Sequence, residues 1–449
     1  MPYSLQPTTY SLEMFSDPIA ALATAPGRSA IAVVRLSGEG ALDIAAKVVQ
    51  GFRPNPPREA RLATFRDPSG EAIDRGLYIV FPAPRSYTGD DMVEFSCHGG
   101  SAVVTRLLAA LYAAGARNAL PGEFTRRAVL NGKLDLLQAE AVGDLVDATV
   151  PAQAQAALRQ LDGGLSRRIT GLRDALIDLQ AQLAYEVDFP EEDDGPISRD
   201  QLAQRLADVT ARTSQLLASA PAGTRVREGA VVVLAGPPNA GKSSLFNALL
   251  GVDRALVTEI PGTTRDAIEA PADFHGWPVR LIDTAGLAES EDRLETLGMA
   301  MSRRYLGEAD LILACEDGRS GNSEITGENV LLVSTKSDLR DSAGPGVSVS
   351  AVTGTGLGTL RLRVAQRIFG DQVSLMDLEP ALTRARHREA LSKARDALVA
   401  AAPHLTLAGD PVLAAHQVRE ATQALDELIG TVDLEQVLDR LFAGFCVGK

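Results

Sequence analysis

Cysteine is scarce in this chain of 449 residues: there are three, Cys97, Cys315 and Cys446, far apart. That spacing offers neither a disulfide framework nor a metal-ligand pattern, and it fits a reducing compartment. Aromatic residues supply only 4% of the sequence, and with alanine and leucine frequent the composition favours long helices. No apolar run is long enough to span a bilayer and the first residues lack a secretory pattern, so we expect a soluble, cytoplasmic protein. Basic charge is in deficit, 44 Lys and Arg against 58 Asp and Glu, for a formal charge of −14. Such a surface repels phosphate backbones, so any nucleic-acid contact must be local or partner-assisted. What is plentiful is apolar residue, 45% of the chain, which excludes global disorder. The length suggests about three domains.

The most informative stretch is Gly236-Pro237-Pro238-Asn239-Ala240-Gly241-Lys242-Ser243, a G-x-x-x-x-G-K-S motif. Val231–Ala235 before it reads as a buried strand, and Ser244–Leu250 after it as a helix stopped by Gly251. Strand, glycine loop and helix are the context in which backbone N–H groups turn inward around a phosphate. Lys242 would reach the β/γ-phosphates and Ser243 would bind Mg²⁺. Asn239, Ala240, Gly241 and Ser244 belong to the same loop.

Other segments follow in the order a guanine-nucleotide site requires. Gly262-Thr263-Thr264-Arg265-Asp266 would supply a switch loop with Thr264 as a second Mg²⁺ ligand. Asp283-Thr284-Ala285-Gly286 follows the strand Val279–Ile282 and suits the Mg²⁺ water shell and the γ-phosphate. Thr335-Lys336-Ser337-Asp338 would read guanine through Asp338, with Ser350 and Ala351 completing the base pocket. Thr335 stands where asparagine is usual; a lost hydrogen bond is worth roughly 0.5–1.5 kcal/mol, so guanine preference should survive. Leu287, rather than glutamine, follows the glycine, and no arginine finger is evident. Water positioning and charge neutralisation must come from elsewhere.

The rest of the chain organises around this insertion. Residues 1–131 mix strand signals (Ala30–Leu36, Gly76–Phe81) with a short helix at Val103–Leu111, an α+β pattern. Helical periodicity runs through Leu134–Leu161, through Leu165, Ile169, Leu172, Leu176, Leu179, Leu183 and Val187, and through Leu202, Leu206, Val209 and Leu216. The acidic run 191–194 reads as a solvated loop, with a cation site as the alternative. Residues 228–370 alternate strand and helix, as a parallel sheet with crossovers does. Periodicity returns after residue 371, with Val412, Ala415, Val418, Leu425 and Leu428, then Leu434, Val437, Leu438 and Leu441. The expectation is a multidomain protein: an N-terminal α+β domain (1–131), a helical bundle in two parts (132–227 and 371–449), and an inserted α/β P-loop domain of Ras-like type (228–370).

On these motifs the chain resembles the MnmE/TrmE family of tRNA-modification GTPases over nearly its full length. Outside the nucleotide domain the resemblance rests on Pro121-Gly122-Glu123-Phe124-Thr125-Arg126-Arg127-Ala128, on Asn131–Leu136, and on the end Phe445-Cys446-Val447-Gly448-Lys449. It implies GTP contacts continuing through Thr258, Glu259, Ile260, Pro261, Gly262 and Thr263. It also implies a K⁺ ion held by Asn239, Thr258, Ile260 and Thr263 where an arginine finger would act, and Glu295 as the group that orients water. For the N-terminal domain it implies folate binding, with Arg35, Glu94, Lys133 and Lys449 as contacts to a tetrahydrofolate one-carbon derivative (5-formyl or 5,10-methylene), and dimerisation. It implies Cys446 as a candidate reactive thiol, an FAD-dependent partner of the MnmG/GidA type in a heterotetramer, and a tRNA substrate modified at C5 of the wobble uridine. Arg384, Arg386, His387 and Arg388 form a basic cluster suited to a local tRNA contact. His98 reads either as a turn residue or as an acid/base group. The alternatives are a ribosome-assembly or RNA-switch GTPase without folate chemistry, which usually carries a basic appendage, and a structural G protein whose output is dimerisation.

Overall fold

The computed structural model describes residues 17–188, 198–251, 269–284, 304–317, 325–339, 346–370, 381–406, 409–430, 441, 442, 445, 446 and 448. They group into two units, one holding the described residues up to Glu140 together with those from Ile429 onward, the other Ala141–Leu428.

In the first unit six strands lie in the order β3-β4-β5-β2-β1-β6: β1 Ile19–Leu22, β2 Ile31–Ser37, β3 Arg61–Arg66, β4 Ala72–Phe81, β5 Met92–His98 and β6 Arg117–Asn118. Side chains alternate between the faces of each strand. Val34, Leu36, Phe65, Tyr78, Val80, Val93, Phe95 and Cys97 point to one face and form its core with helices α1 (Ala41–Val48) and α2 (Ser101–Ala114). The intervening residues line the other face. The register Ala21↔Arg35, Arg35↔Glu94 and Glu94↔Ile79 puts these four in one row across β1, β2, β5 and β4. Helix α3 (Glu123–Leu130) covers the β1 end of this second face, where Phe124 packs with Ile19, Ala21 and Tyr87.

Helix α4 (Leu136–Asp147) follows, its Leu136 and Ala139 packed against Phe442 near the end of the chain. Gly122, with φ of 66°, lies where a Cβ would come within 2.6 Å of the Phe442 ring, so this packing requires glycine.

The second unit begins with α5 (Pro151–Leu161), then α6 (Gly164–Asp188), α7 (Arg199–Ala218) and α8 (Ala220–Glu228). The periodic stretch 134–161 is therefore two helices, because Pro151 opens a new one at its first turn. The α6 stripe from Leu165 to Leu183 and the α7 stripe from Leu202 to Leu216 are buried as their spacing requires. Ser198 caps α7, accepting from the Gln201 N–H while Gln201 reaches back.

The sheet of the second unit has the order β12-β11-β10-β7-β9-β8, with β7 Ala230–Ala235, β8 Glu269–Phe274, β9 Trp277–Asp283, β10 Leu311–Glu316, β11 Val330–Ser334 and β12 Val347–Ser348. Five strands are parallel, but the edge strand β8 runs antiparallel to β9, which corrects the all-parallel expectation. Helices α9 (Lys242–Gly251) and α10 (Leu357–Phe369) pack on it, and Trp277 stacks on Phe369 with ring centres 4.4 Å apart. Helix α5 joins this core: Ala152 is buried in it and donates its N–H to the Gly276 carbonyl oxygen at 2.9 Å.

Helices α11 (Ala385–Ala401) and α12 (Pro411–Ile429) complete the bundle. Arg173 of α6 pairs with Asp426 of α12, and Gln180 donates to Thr422 Oγ1 at 2.6 Å. Val418, Leu425 and Leu428 are buried, whereas Val412, placed on the same stripe from sequence, is exposed in the first turn of α12. The acidic run 191–194 and the residues Leu434, Val437 and Leu438 lie outside the described residues.

Candidate functional sites

The nucleotide motifs converge at the C-terminal ends of β7, β9, β10 and β11, where ligands bind in open α/β sheets. β7 runs into Gly236, whose Cβ, were there one, would sit 2.3 Å from the Cys315 carbonyl oxygen. Only glycine lets the loop leave the strand so close to β10. Asn239 follows in a left-handed conformation, φ 62°, exposed at the loop's crest. Lys242 is buried at the start of α9 and donates to the Gly236 and Pro237 carbonyl oxygens at 2.9 and 3.0 Å. Its ammonium is thus held within the loop that would cradle phosphates. Ser243 and Ser244 are exposed beside it. Asp283, buried at the end of β9, pairs in register with Leu234, and the Thr284 hydroxyl donates to the Leu234 carbonyl at 2.7 Å.

The base-recognition segment is tied to this loop. Thr335 Oγ1 lies 2.6 Å from the Ala240 carbonyl oxygen and 3.1 Å from that of Glu316, donating its one proton to either. Lys336, itself left-handed at φ 54°, donates to the Asn239 carbonyl at 2.6 Å and faces Asp317 at 3.4 Å. Asp338 Oδ1 accepts from Ser350 Oγ at 2.6 Å, and Ser350 is fully buried beside Ala351. Sequence reasoning counted Thr335 only as a missing amide; its hydroxyl is a strut between the guanine segment and the phosphate loop. Thr258, Glu259, Ile260, Pro261, Gly262, Thr263, Thr264, Ala285, Gly286, Leu287 and Glu295 lie outside the described residues.

A second cluster sits on the face of the first sheet that α1 and α2 leave free. Arg35 donates through Nε and Nη2 to Glu94 Oε1 at 3.0 and 2.9 Å. Its guanidinium carbon lies 5.4 Å from the Tyr87 ring centre and 5.6 Å from that of Phe124, a cation held between two aromatic faces. Burial raises the Tyr87 phenol, against a hydrogen bond to Thr125 and the nearby Arg35 charge. Tyr87 was missed from sequence, although an aromatic in a proline- and glycine-rich connection is unusual in so aromatic-poor a chain. Lys133 donates to the Pro84 carbonyl at 3.0 Å. Tyr87, Glu94 and Lys133 line an open cavity of about 570 Å³.

The chain's end reaches the same place. Gly448 O accepts from Arg35 Nη1 at 3.4 Å, and the Gly122 N–H donates to the Cys446 carbonyl at 3.3 Å. The Cys446 thiol is exposed; Lys449 lies outside the described residues. Cys97 is on the opposite face of the sheet, where burial pushes its thiol to about 11.

Beneath α3 the outer motif forms an ionic lattice. Buried Glu123 accepts from Arg117 at 2.5 Å and from Arg127 at 2.9 Å, and both arginines also reach Asp17. Burial is the largest single influence on the Glu123 carboxyl, pushing it up, yet Arg117, the Leu120 N–H and Arg127 together hold it below its ordinary value. The lattice thus ties α3 to Arg117 and Asp17 through Glu123 and Arg127 of the motif.

Two candidates fare differently. The basic cluster of α11 is only partly at the surface: His387 is fully buried, Arg384 pairs with Asp144 at 2.7 Å and Arg386 donates to the Glu427 carbonyl, while Arg388 is exposed. His98 is exposed, its Nδ1 held 2.8 Å from Asp74.

Two family models match the chain. A model described as "GTP-binding protein TrmE N-terminus" matches residues 18–133, and one described as "MnmE helical domain" matches residues 136–446. The chain belongs to the MnmE/TrmE family of tRNA modification GTPases. Among MnmE proteins it is 46% identical over 441 residues to that of Thermus thermophilus, covering 96% of this chain and 99% of the relative. To that of Aquifex aeolicus it is 40% identical over 452 residues, covering 96% of this chain and all of the relative. Among solved structures, the G domain of the T. maritima FeoB iron transporter is 28% identical with a TM-score of 0.21, covering 31% of this chain and 98% of that one. As an MnmE family member the chain is a GTP hydrolase of tRNA modification, and among its described residues no helix is long and apolar enough to cross a membrane.

Proposed function

We propose that this MnmE-type chain is a homodimeric, K⁺-activated and Mg²⁺-dependent cytoplasmic GTPase acting with a separate FAD-dependent partner of MnmG/GidA type in a heterotetramer. Together they would build an aminomethyl or carboxymethylaminomethyl group on C5 of the wobble uridine in certain tRNAs, from a folate one-carbon unit. The observation that carries this reading is that one chain holds both a guanine-nucleotide frame and, on another sheet, the Arg35–Glu94 pair beside an open cavity.

The residues suit these ligands. The cavity's volume, about 570 Å³, falls in the range of small-molecule sites, about 300–1,000 Å³. Glu94 offers a carboxylate to the paired donors of a pterin, and Tyr87 an aromatic wall. In the nucleotide site Asp338, oriented by Ser350, accepts the two donors that guanine presents and adenine lacks. Lys242 exchanges its loop carbonyls for phosphate oxygens, and Ser243 and Thr264 hold Mg²⁺. Asn239 stands exposed where, with Thr258, Ile260 and Thr263, it would hold K⁺. Both cations, when bound, supply the positive charge that a shifting γ-phosphate requires. Glu295 positions the attacking water.

Steady-state GTP hydrolysis in matched KCl and NaCl, with equilibrium binding of 5-formyl-tetrahydrofolate, tests the proposal. Hydrolysis should be much faster in K⁺; equal rates remove the cation mechanism, and absent folate binding removes the one-carbon chemistry.

A further inference from the structure

The connection after β4 gathers three cations that no carboxylate among the described residues answers. Arg58 donates from Nη2 to the Arg85 carbonyl oxygen at 2.7 Å, and Lys133 from Nζ to that of Pro84 at 3.0 Å. Their charges therefore lie at the two consecutive peptides that flank Arg85, next to that residue's own side chain. All three residues are exposed, on a chain whose formal charge is −14. Arg58 is fixed there by a left-handed backbone, φ 63°, and by its N–H donating to the Val80 carbonyl at 2.8 Å.

These cations form one side of the cavity that Glu94 and Tyr87 also line. Phe81, at the end of β4, pairs with Met92, and Glu94 lies two residues further along β5 on the same face. Two strand residues span about 7 Å. The cavity is thus polarised, a carboxylate along the strand and a cluster of cations at the connection.

We propose that Arg58, Arg85 and Lys133 form a subsite for the anionic tail of a folate, so that the protein favours folates carrying several γ-linked glutamates over the monoglutamate. The inference rests on the folate reading above, in which Lys133 is one of the folate contacts; Arg58 and Arg85 are new to it. A monoglutamate tail carries two carboxylates, fewer than the three cations. Each further γ-linked residue adds one net negative charge, and guanidinium groups can grip carboxylates with two parallel hydrogen bonds. Because the cations are exposed, the gain falls as salt rises.

The test is equilibrium binding of 5-formyl-tetrahydrofolate, as mono- and triglutamate, to the full chain and to Arg58→Ala and Arg85→Ala, at low and high salt. The expected result is a triglutamate about tenfold tighter than the monoglutamate at low salt. That ratio should fall toward one at high salt and in either variant. A ratio near one in the parent protein, with the monoglutamate bound, overturns the subsite and leaves the folate reading intact. A ratio unchanged in both variants places the tail elsewhere and overturns the assignment. Binding of neither form removes the folate reading and the subsite with it.

Discussion

The Gly448 carbonyl oxygen lies 3.4 Å from Arg35 Nη1, a contact between residues 413 apart in sequence. The guanidinium that grips Glu94 thus also holds the end of the chain. Any ligand that draws Arg35 away from Glu94 changes the hold on the tail as well, and the exposed Cys446 lies two residues from that contact.

A Cβ on Gly448 would sit 2.1 Å from the Leu22 carbonyl oxygen, and its φ of 103° disfavours any side chain. Gly448→Ala should therefore release the tail from Arg35. Hydrogen exchange over the last residues should rise and tRNA modification should fall at least tenfold. GTP turnover, which depends on groups around β7 to β12, should stay near the parent rate. Unaltered exchange at the tail would show that the glycine is not needed there.

Thr335→Val removes the hydroxyl strut and leaves the buried Ala240 carbonyl without its donor. Such a loss costs about 1–3 kcal/mol, so affinity for a fluorescent GTP analogue should drop roughly five- to a hundredfold. Thr335→Ser keeps the donor and should recover most of the affinity. Indistinguishable affinities for the two variants would rule out the strut.

The three thiols should separate by reactivity and by pH. Burial, aided by Asp74, pushes Cys97 to about 11; burial pushes Cys315 to about 12, with Asp283 adding to it and Lys242 opposing. At about pH 8 an alkylating reagent should therefore label Cys446 alone in the folded protein. Above the ordinary thiol value of 9.0 the unfolded chain loses protons that the folded one retains. Unfolding then grows easier as pH rises toward about 11. Denaturation midpoints should fall across this window, with a gentler slope in Cys97→Ala; an identical slope would mean that the thiol is not protected.

Much of this was legible where the signal is local. The glycine loop, the buried strands flanking it and the stripes of α6 and α7 declare themselves by spacing. Strand β5 is less plain, because its outward members Glu94, Ser96 and His98 alternate with the inward Val93, Phe95 and Cys97, although the apolar residues before Cys97 do read as strand. Pro271 within β8 does point to an edge strand, but its antiparallel pairing depends on a neighbour chosen by the fold. His387 lies three, four and seven residues before Ala390, Leu391 and Ala394, all buried. Helical period alone puts it inside, and charge counting hid that. The ion pair of Arg384 with Asp144 joins residues 240 apart, and no local pattern announces such a partner.

Helix α5 precedes the first strand of the nucleotide sheet by some seventy residues of helical bundle, yet Ala152 is part of that sheet's core and bonded to Gly276. The unit that can be transplanted is consequently not continuous in the gene. A hybrid that exchanged nucleotide domains between relatives at residue 228 would mate one parent's Pro151–Leu161 with the other's Trp277 hairpin. Inheritance of the two segments is coupled, and a change in either one must find an answering change in the other.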